Sequence, residues 1–79
     1  MASIDLGQIV DAGFSLLKTP FKQAWYHYDE EADVLYLSFK KPAHADDTEL
    51  TDDDILVRYE QGEVVGITIL HASQRKAAA

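Results

Sequence analysis

The sequence predicts an α+β domain: an N-terminal amphipathic helix followed by a meander of about four antiparallel β-strands. Three observations carry that prediction. Apolar residues near the N-terminus recur at spacings of three and four. From residue 25 onward they alternate with period two. Short turn-forming segments separate the alternating runs.

Residues 3 to 19 read as the helix. Leu6, Ile9, Val10, Phe14, Leu17 and Phe21 form the apolar stripe. Asp5 followed by Gln8 is a capping-box pattern, and Lys18 and Lys22 complement the dipole at the far end. Pro20 lacks an N–H and constrains Thr19, so the helix ends there. Gly7 and Gly13 each weaken it by about 1 kcal/mol relative to Ala, so tertiary packing must hold it. That packing is either a face of its own sheet or a second subunit reached as an arm.

Trp25 to Asp29 is a short aromatic strand, with Trp25 and His27 on one face and Tyr26 and Tyr28 on the other. Asp29-Glu30-Glu31-Ala32-Asp33 is a polar turn whose carboxylates can bond nearby amides. Val34 to Phe39 follows as a strand. Its two rows, Leu35, Leu37 and Phe39 against Val34, Tyr36 and Ser38, are both largely apolar, which predicts a central strand at least partly covered on both faces. Ala43 to Asp53 is a polar connection with room for a short edge strand near Thr48 to Leu50.

Asp54 to Leu70 is the clearest stretch. Ile55, Val57 and Tyr59 alternate with Leu56, Arg58 and Glu60. Beyond Gln61-Gly62, Val65, Ile67 and Ile69 alternate with Val64, Gly66, Thr68 and Leu70. Two such runs joined by two residues ending in Gly are a hairpin signal, although Gln accepts positive φ less readily than Asn. Sequential strands with short turns favour pairing between neighbours. The chain thus divides into a helical extension (1–24), a small β-meander domain (25–75) and a frayed tail (76–79).

Seventy-nine residues make one small domain. A chain of this size buries only roughly 60 to 65 per cent of its unfolded surface, so a lone core is marginal. Small scaffolds add disulfides, a metal or a partner. With no cysteine there is neither a disulfide nor a Cys-His metal framework, which fits a reducing compartment. Apolar content of 47% in so short a chain therefore points to a partner surface, and a homodimer is expected.

The net charge is −7, and six of the fourteen acids lie between Asp46 and Asp54, where no basic residue occurs. Without a basic patch, nucleic-acid binding is not expected. An acidic surface instead attracts a basic protein partner. No apolar run spans a bilayer, and the N-terminal segment lacks the features of a signal peptide, so no membrane association and a cytoplasmic location are expected.

No arrangement of residues argues for an enzyme or a cofactor. Asp46, Asp47, Glu49, Asp52, Asp53 and Asp54 lack the central glycine and the spacing of a calcium loop, so the tract reads first as a solvated loop and next as an acidic docking surface. His27, His44 and His71 are far apart and read as strand-end or loop residues before zinc ligands. His71 and Ser73 lack an orienting acid and an oxyanion site. Asp29 and Asp33 read as turn formers before an acid-base pair. Trp25 and the tyrosines read as core, or as interface if exposed. Gly62 and Gly66 are turn and strand positions, since no helix or lysine follows them as in a phosphate loop.

The segment Tyr28-Asp29-Glu30-Glu31-Ala32-Asp33-Val34-Leu35-Tyr36-Leu37 precedes Gly62-Glu63-Val64-Val65-Gly66-Ile67-Thr68-Ile69-Leu70 and the ensuing Ala72-Ser73. Together these resemble a family of small prokaryotic proteins known only as a domain of unknown function, labelled 2283. The resemblance covers about Tyr26 to Ser73 and leaves the N-terminal helix outside. His71 departs from it, standing where an acidic or polar residue is frequent. The family carries no assigned catalytic residues, so the resemblance implies no activity. Its members are often encoded beside small toxin-like proteins, which implies an antitoxin role by association.

These readings converge on a small acidic protein-interaction module, the neutralising partner of a small basic toxin. Its expected partner-binding residues are Leu6, Val10, Phe14 and Leu17 on the helix and Asp46, Asp47, Glu49, Asp52 and Asp53 in the tract. The alternative is a small-molecule or divalent-metal-binding domain using the acidic loop and the histidines.

Overall fold

The computed structural model describes residues 3–75. Helix α1 (Leu6–Leu17) precedes five strands. These are β1 (Trp25–Asp29), β2 (Val34–Ser38), β3 (Asp47–Leu50), β4 (Ile55–Glu60) and β5 (Glu63–Leu70), and a single 3-10 turn, Ala72–Gln74, follows. All strands join one antiparallel sheet in the order β1-β2-β5-β4-β3. The expected α+β class holds, with five strands where about four were expected, because β3 forms a full edge strand. The expected tail at 76–79 lies outside the described residues.

Helix α1 is shorter at both ends than the apolar spacing alone suggests. Asp5 is its N-cap, and its carboxylate accepts the Gln8 N–H at 3.2 Å. At the other end Lys18 is the C-cap, and Thr19 closes the turn by donating both its N–H (3.0 Å) and its hydroxyl (2.7 Å) to the Leu16 carbonyl. Pro20 stops any continuation.

Two of the three hairpins, β4–β5 and β1–β2, form where turn chemistry predicts them. Gln61 (φ 51°) and Gly62 (φ 83°) both take positive φ, which is the turn whose twist matches paired strands. Between β1 and β2, the Asp29 carboxylate accepts the Ala32 N–H at 3.2 Å and fixes the polar turn.

Neighbour pairing holds for β1–β2, β3–β4 and β4–β5, but not for β2 and β3. Instead β2 pairs with β5, with Leu35 opposite Ile69 and Leu37 opposite Ile67. The physical reason is composition. Strand β5 is apolar on both faces and belongs in the centre, while the acidic β3 tolerates an edge. Residues 39–46 carry the chain across the end of the sheet. The Asp46 N–H donates to the Tyr59 carbonyl at 2.9 Å, and the Glu60 carboxylate accepts the His44 N–H at 2.7 Å and pairs with Lys40.

The core is thin. Among the described residues only Val34, Val65, Gly66 and Thr68 are buried, all on β2 and β5. The expectation of a central strand partly covered on both faces holds for β2: Val34 is buried and Ser38 half-buried on one face, and Leu35 and Leu37 are half-buried on the other. Tyr36 is exposed and Phe39 is half-buried. No second layer lies over it. Helix α1, whose apolar stripe could supply that layer, stands clear of the sheet with every residue exposed.

Candidate protein-interaction site

The register of the sheet sorts its side chains into two unlike faces. Side chains at paired positions share a face, and alternate residues along a strand point oppositely. One row therefore runs Tyr28, Leu35, Ile69, Ile55. The next row on the same face runs Tyr26, Leu37, Ile67, Val57 and ends on Glu49. This face is continuous and apolar across four strands, and its central residues are only half-buried. The opposite face mixes Trp25, Ser38, Gly66, Arg58 and Thr48 in one row and His27, Tyr36, Thr68, Leu56 and Leu50 in another. Three of the four buried residues, Val34, Gly66 and Thr68, lie on this mixed face. Arg58 donates to the buried Thr68 hydroxyl at 3.3 Å, and Lys41 sits 4.9 Å from the centre of the Trp25 ring.

Helix α1 presents a second apolar surface. Leu6, Val10, Phe14 and Leu17, the partner-binding residues expected on it, are between 62% and 80% exposed, and Ile9 joins them. Their spacing puts them along one side of the helix, while Gln8, Asp11 and Ser15 fall elsewhere. A notch of about 440 Å³ lies between the end of the helix and the linker, lined by residues including Leu16, Leu17, Pro20 and Phe21. Phe21 anchors the linker by stacking on Phe39, with ring centres 3.8 Å apart and planes within 4°.

The acidic residues form a stripe. Asp46 lies beside the β4–β5 turn, where its carboxylate accepts the Gln61 N–H at 3.0 Å. Asp47 accepts the Thr48 N–H at 2.9 Å, and Glu49 stands mid-edge opposite Val57. Asp52 and Asp53 occupy the turn at the other end, where the Asp53 carbonyl accepts from Arg75 at 2.6 Å. All five expected acidic partner residues are exposed along one edge. Asp47 and Glu49 share the parity of the apolar face, so they rim it. Among the described residues no three His, Asp or Glu side chains are close enough to hold a metal ion.

One constellation was not legible in the sequence. Asp33 is expected as a turn former, and it does take a left-handed turn conformation (φ 56°). Its carboxylate also gathers four donors. Oδ1 accepts from the Tyr28 hydroxyl (2.6 Å) and the Ser73 N–H (2.9 Å), and Oδ2 accepts from the Ser73 hydroxyl (2.9 Å) and Gln74 Nε2 (3.3 Å). The Asp33 carbonyl takes the Ala72 N–H at 3.0 Å. Four donors favour the charged form, and the Tyr28 hydroxyl and Ser73 N–H hold the Asp33 carboxyl well below its usual range, at about 2. The same bond raises the Tyr28 phenol above its ordinary value. Asp33 thereby fastens the 3-10 turn to the first hairpin as a structural clamp.

Among the sheet-face residues, Leu35, Leu37, Val57 and Ile67 are expected as core and not as partner-binding, whereas the exposed Tyr26 meets the condition under which the aromatic residues are expected at an interface. Alternation alone does not reveal that the covering layer is absent.

No curated protein and no solved structure matches the chain. A family model described as a protein of unknown function (DUF2283) matches residues 25–73. The match opens on the first residue of β1 and closes on Ser73, the clamp partner of Asp33, and it leaves α1 outside. The chain belongs to this family of proteins of unknown function, DUF2283.

Proposed function

We infer that the protein is a small acidic protein-interaction module that self-associates and engages a small basic protein along the β3 edge. It acts by binding and performs no catalysis. The observation that carries this reading is surface area. A folded monomer of 8.8 kDa is expected to expose about 4,800 Å², whereas this chain exposes 6698 Å². The surplus of about 1,900 Å² includes the six terminal residues outside the described range. Fully unfolded, these contribute about 800 Å², so more than about 1,000 Å² remains. That is the scale of a stable protein interface. The surplus is apolar on the helix stripe and on the sheet face, where Asp47 and Glu49 supply the polar rim an interface needs.

The basic partner is argued from charge. The stripe Asp46, Asp47, Glu49, Asp52 and Asp53 carries no compensating base in sequence, and β3 has a free edge. Electrostatic attraction to a cationic protein speeds encounter and sets specificity. Together with the toxin-like neighbours that the family resemblance implies, this supports a neutralising, antitoxin-like role.

Co-expression with the basic product of an adjacent gene tests the reading. The expected outcome is a stoichiometric complex whose affinity falls as salt rises, together with relief of that product's toxicity. Separate elution of the two proteins at low salt, with toxicity undiminished, contradicts it.

A further inference from the structure

We propose that the protein forms an arm-exchanged homodimer, in which α1 of each chain lies across the apolar sheet face of the other. This rests on the self-association reading above and specifies its geometry. The occupant of the face is a second copy of this chain, and the arm is its N-terminal helix.

The first argument is the match between the two surfaces. Helix α1 has twelve residues and is therefore about 18 Å long. Five strands at about 4.8 Å spacing make a sheet about 19 Å wide. The helix stripe of Leu6, Val10, Phe14 and Leu17 is aliphatic and aromatic, and so is the face of Leu35, Leu37, Ile67 and Ile69. A helix laid on a sheet face is the layer that an α+β domain needs and that this sheet lacks.

The second argument is that the linker points the helix away from its own sheet and holds it there. Only Lys18, Thr19 and Pro20 separate the helix from Phe21, and Phe21 is stacked on Phe39. These residues form a built turn. Lys18 N–H bonds the Ser15 carbonyl at 3.1 Å, Thr19 bonds Leu16 twice, and the Thr19 hydroxyl accepts the Phe21 N–H at 3.4 Å. Proline fixes the next φ. Folding back in cis would require undoing this turn, whereas a second chain meets the helix where it already stands.

The third argument is area. Reciprocal exchange buries one helix stripe and one sheet face per chain. A surplus above about 1,000 Å² per chain gives more than about 2,000 Å² in total, the range of obligate homodimers. Edge-to-edge pairing through β1 would leave the apolar face and the helix stripe in water, so it does not absorb the surplus.

The absence of cysteine allows a direct test with full-length chains. A Phe14→Cys chain is mixed with a size-tagged Leu37→Cys chain and treated with a short thiol-specific cross-linker. Tyr26→Cys, on the same face at the exposed edge strand, guards against misfolding at Leu37. Thr48→Cys on the opposite face is the control. Exchange gives a two-chain product between tagged and untagged chains at Leu37 or Tyr26, several-fold above the Thr48 control. Loss of both thiols within single chains of the double variant F14C/L37C, with no two-chain product, overturns it. A dimer by sedimentation without helix-to-sheet cross-links overturns the exchange but leaves self-association standing. Monomer mass throughout removes both.

Discussion

Ser73 donates both its backbone N–H and its hydroxyl, each at 2.9 Å, to the carboxylate of Asp33, forty residues earlier in the chain. The bond pair closes the end of the domain where β5 leaves the sheet, and it depends on charge at Asp33. Its pH response follows. Because the folded-state value of Asp33 is depressed to about 2, its stabilisation is complete above the ordinary carboxyl value of about 3.9 and fades as pH falls toward 2. Tyr28 works in the other direction. Its value is raised, so its contribution is complete below the ordinary phenol value of about 10 and is lost as pH rises through the raised one. Amide exchange at residues 72–75 should therefore stay slow from about pH 5 to 9 and accelerate outside that window. A flat pH profile, after correction for intrinsic exchange, would count against the clamp.

Asp33→Ala removes all four side-chain bonds and places a less tolerant residue at φ 56°. Faster exchange at residues 72–75 and a lower Tm are expected, with β3 and β4 keeping their protection. Asp33→Asn keeps the left-handed preference but puts an amide donor against Ser73. Its Tm should fall between those of the parent and Asp33→Ala.

Gly66 sits at the buried centre of the sheet, and a Cβ added there would meet the Leu37 carbonyl at 3.2 Å. That neighbour is ladder backbone and cannot swing away. Gly66→Ala should cost about 1–3 kcal/mol by urea unfolding. An unchanged midpoint would mean that β2 and β5 are farther apart than the register implies.

Phe14→Asp puts a carboxylate in the middle of the helix stripe without touching any contact within the sheet. If α1 covers a partner's face, dimer affinity should fall on the order of 100-fold while the urea-unfolding slope of the monomeric domain is unchanged. Equal dimer affinity in parent and variant, read by sedimentation, would exclude the helix from the interface.

Neutralising the edge stripe (Asp46→Asn, Asp47→Asn, Glu49→Gln, Asp52→Asn, Asp53→Asn) should slow association with a basic partner by tenfold or more at low salt. At high salt it should have little effect, since the Debye length falls to about 3 Å at 1 M. Association rates from stopped-flow mixing decide it.

Much of the fold could be read from the residues. Gln61-Gly62 announced the β4–β5 hairpin, the Asp29–Asp33 turn announced β1–β2, and Pro20 with Asp5 bounded the helix. The strand order could not be read, because Val34–Ser38 and Glu63–Leu70 are both apolar on two sides and either could have been central. The helix stripe was legible as a surface that needs cover, yet spacing cannot say whether the cover belongs to the same chain. For the same reason Leu6, Val10, Phe14 and Leu17 are expected at an interface while Leu37 and Ile67, their proposed counterparts, are expected as core. The Asp33–Ser73 clamp had no local signature, since its partners lie forty residues apart.

The central claim is that one copy of this chain is an incomplete fold. Sedimentation equilibrium of the full chain at micromolar concentration measures that directly. A mass twice 8.8 kDa is expected, with the weight-average mass falling only on dilution. A folded species of 8.8 kDa at every concentration, with slow amide exchange across β2 and β5, would contradict it.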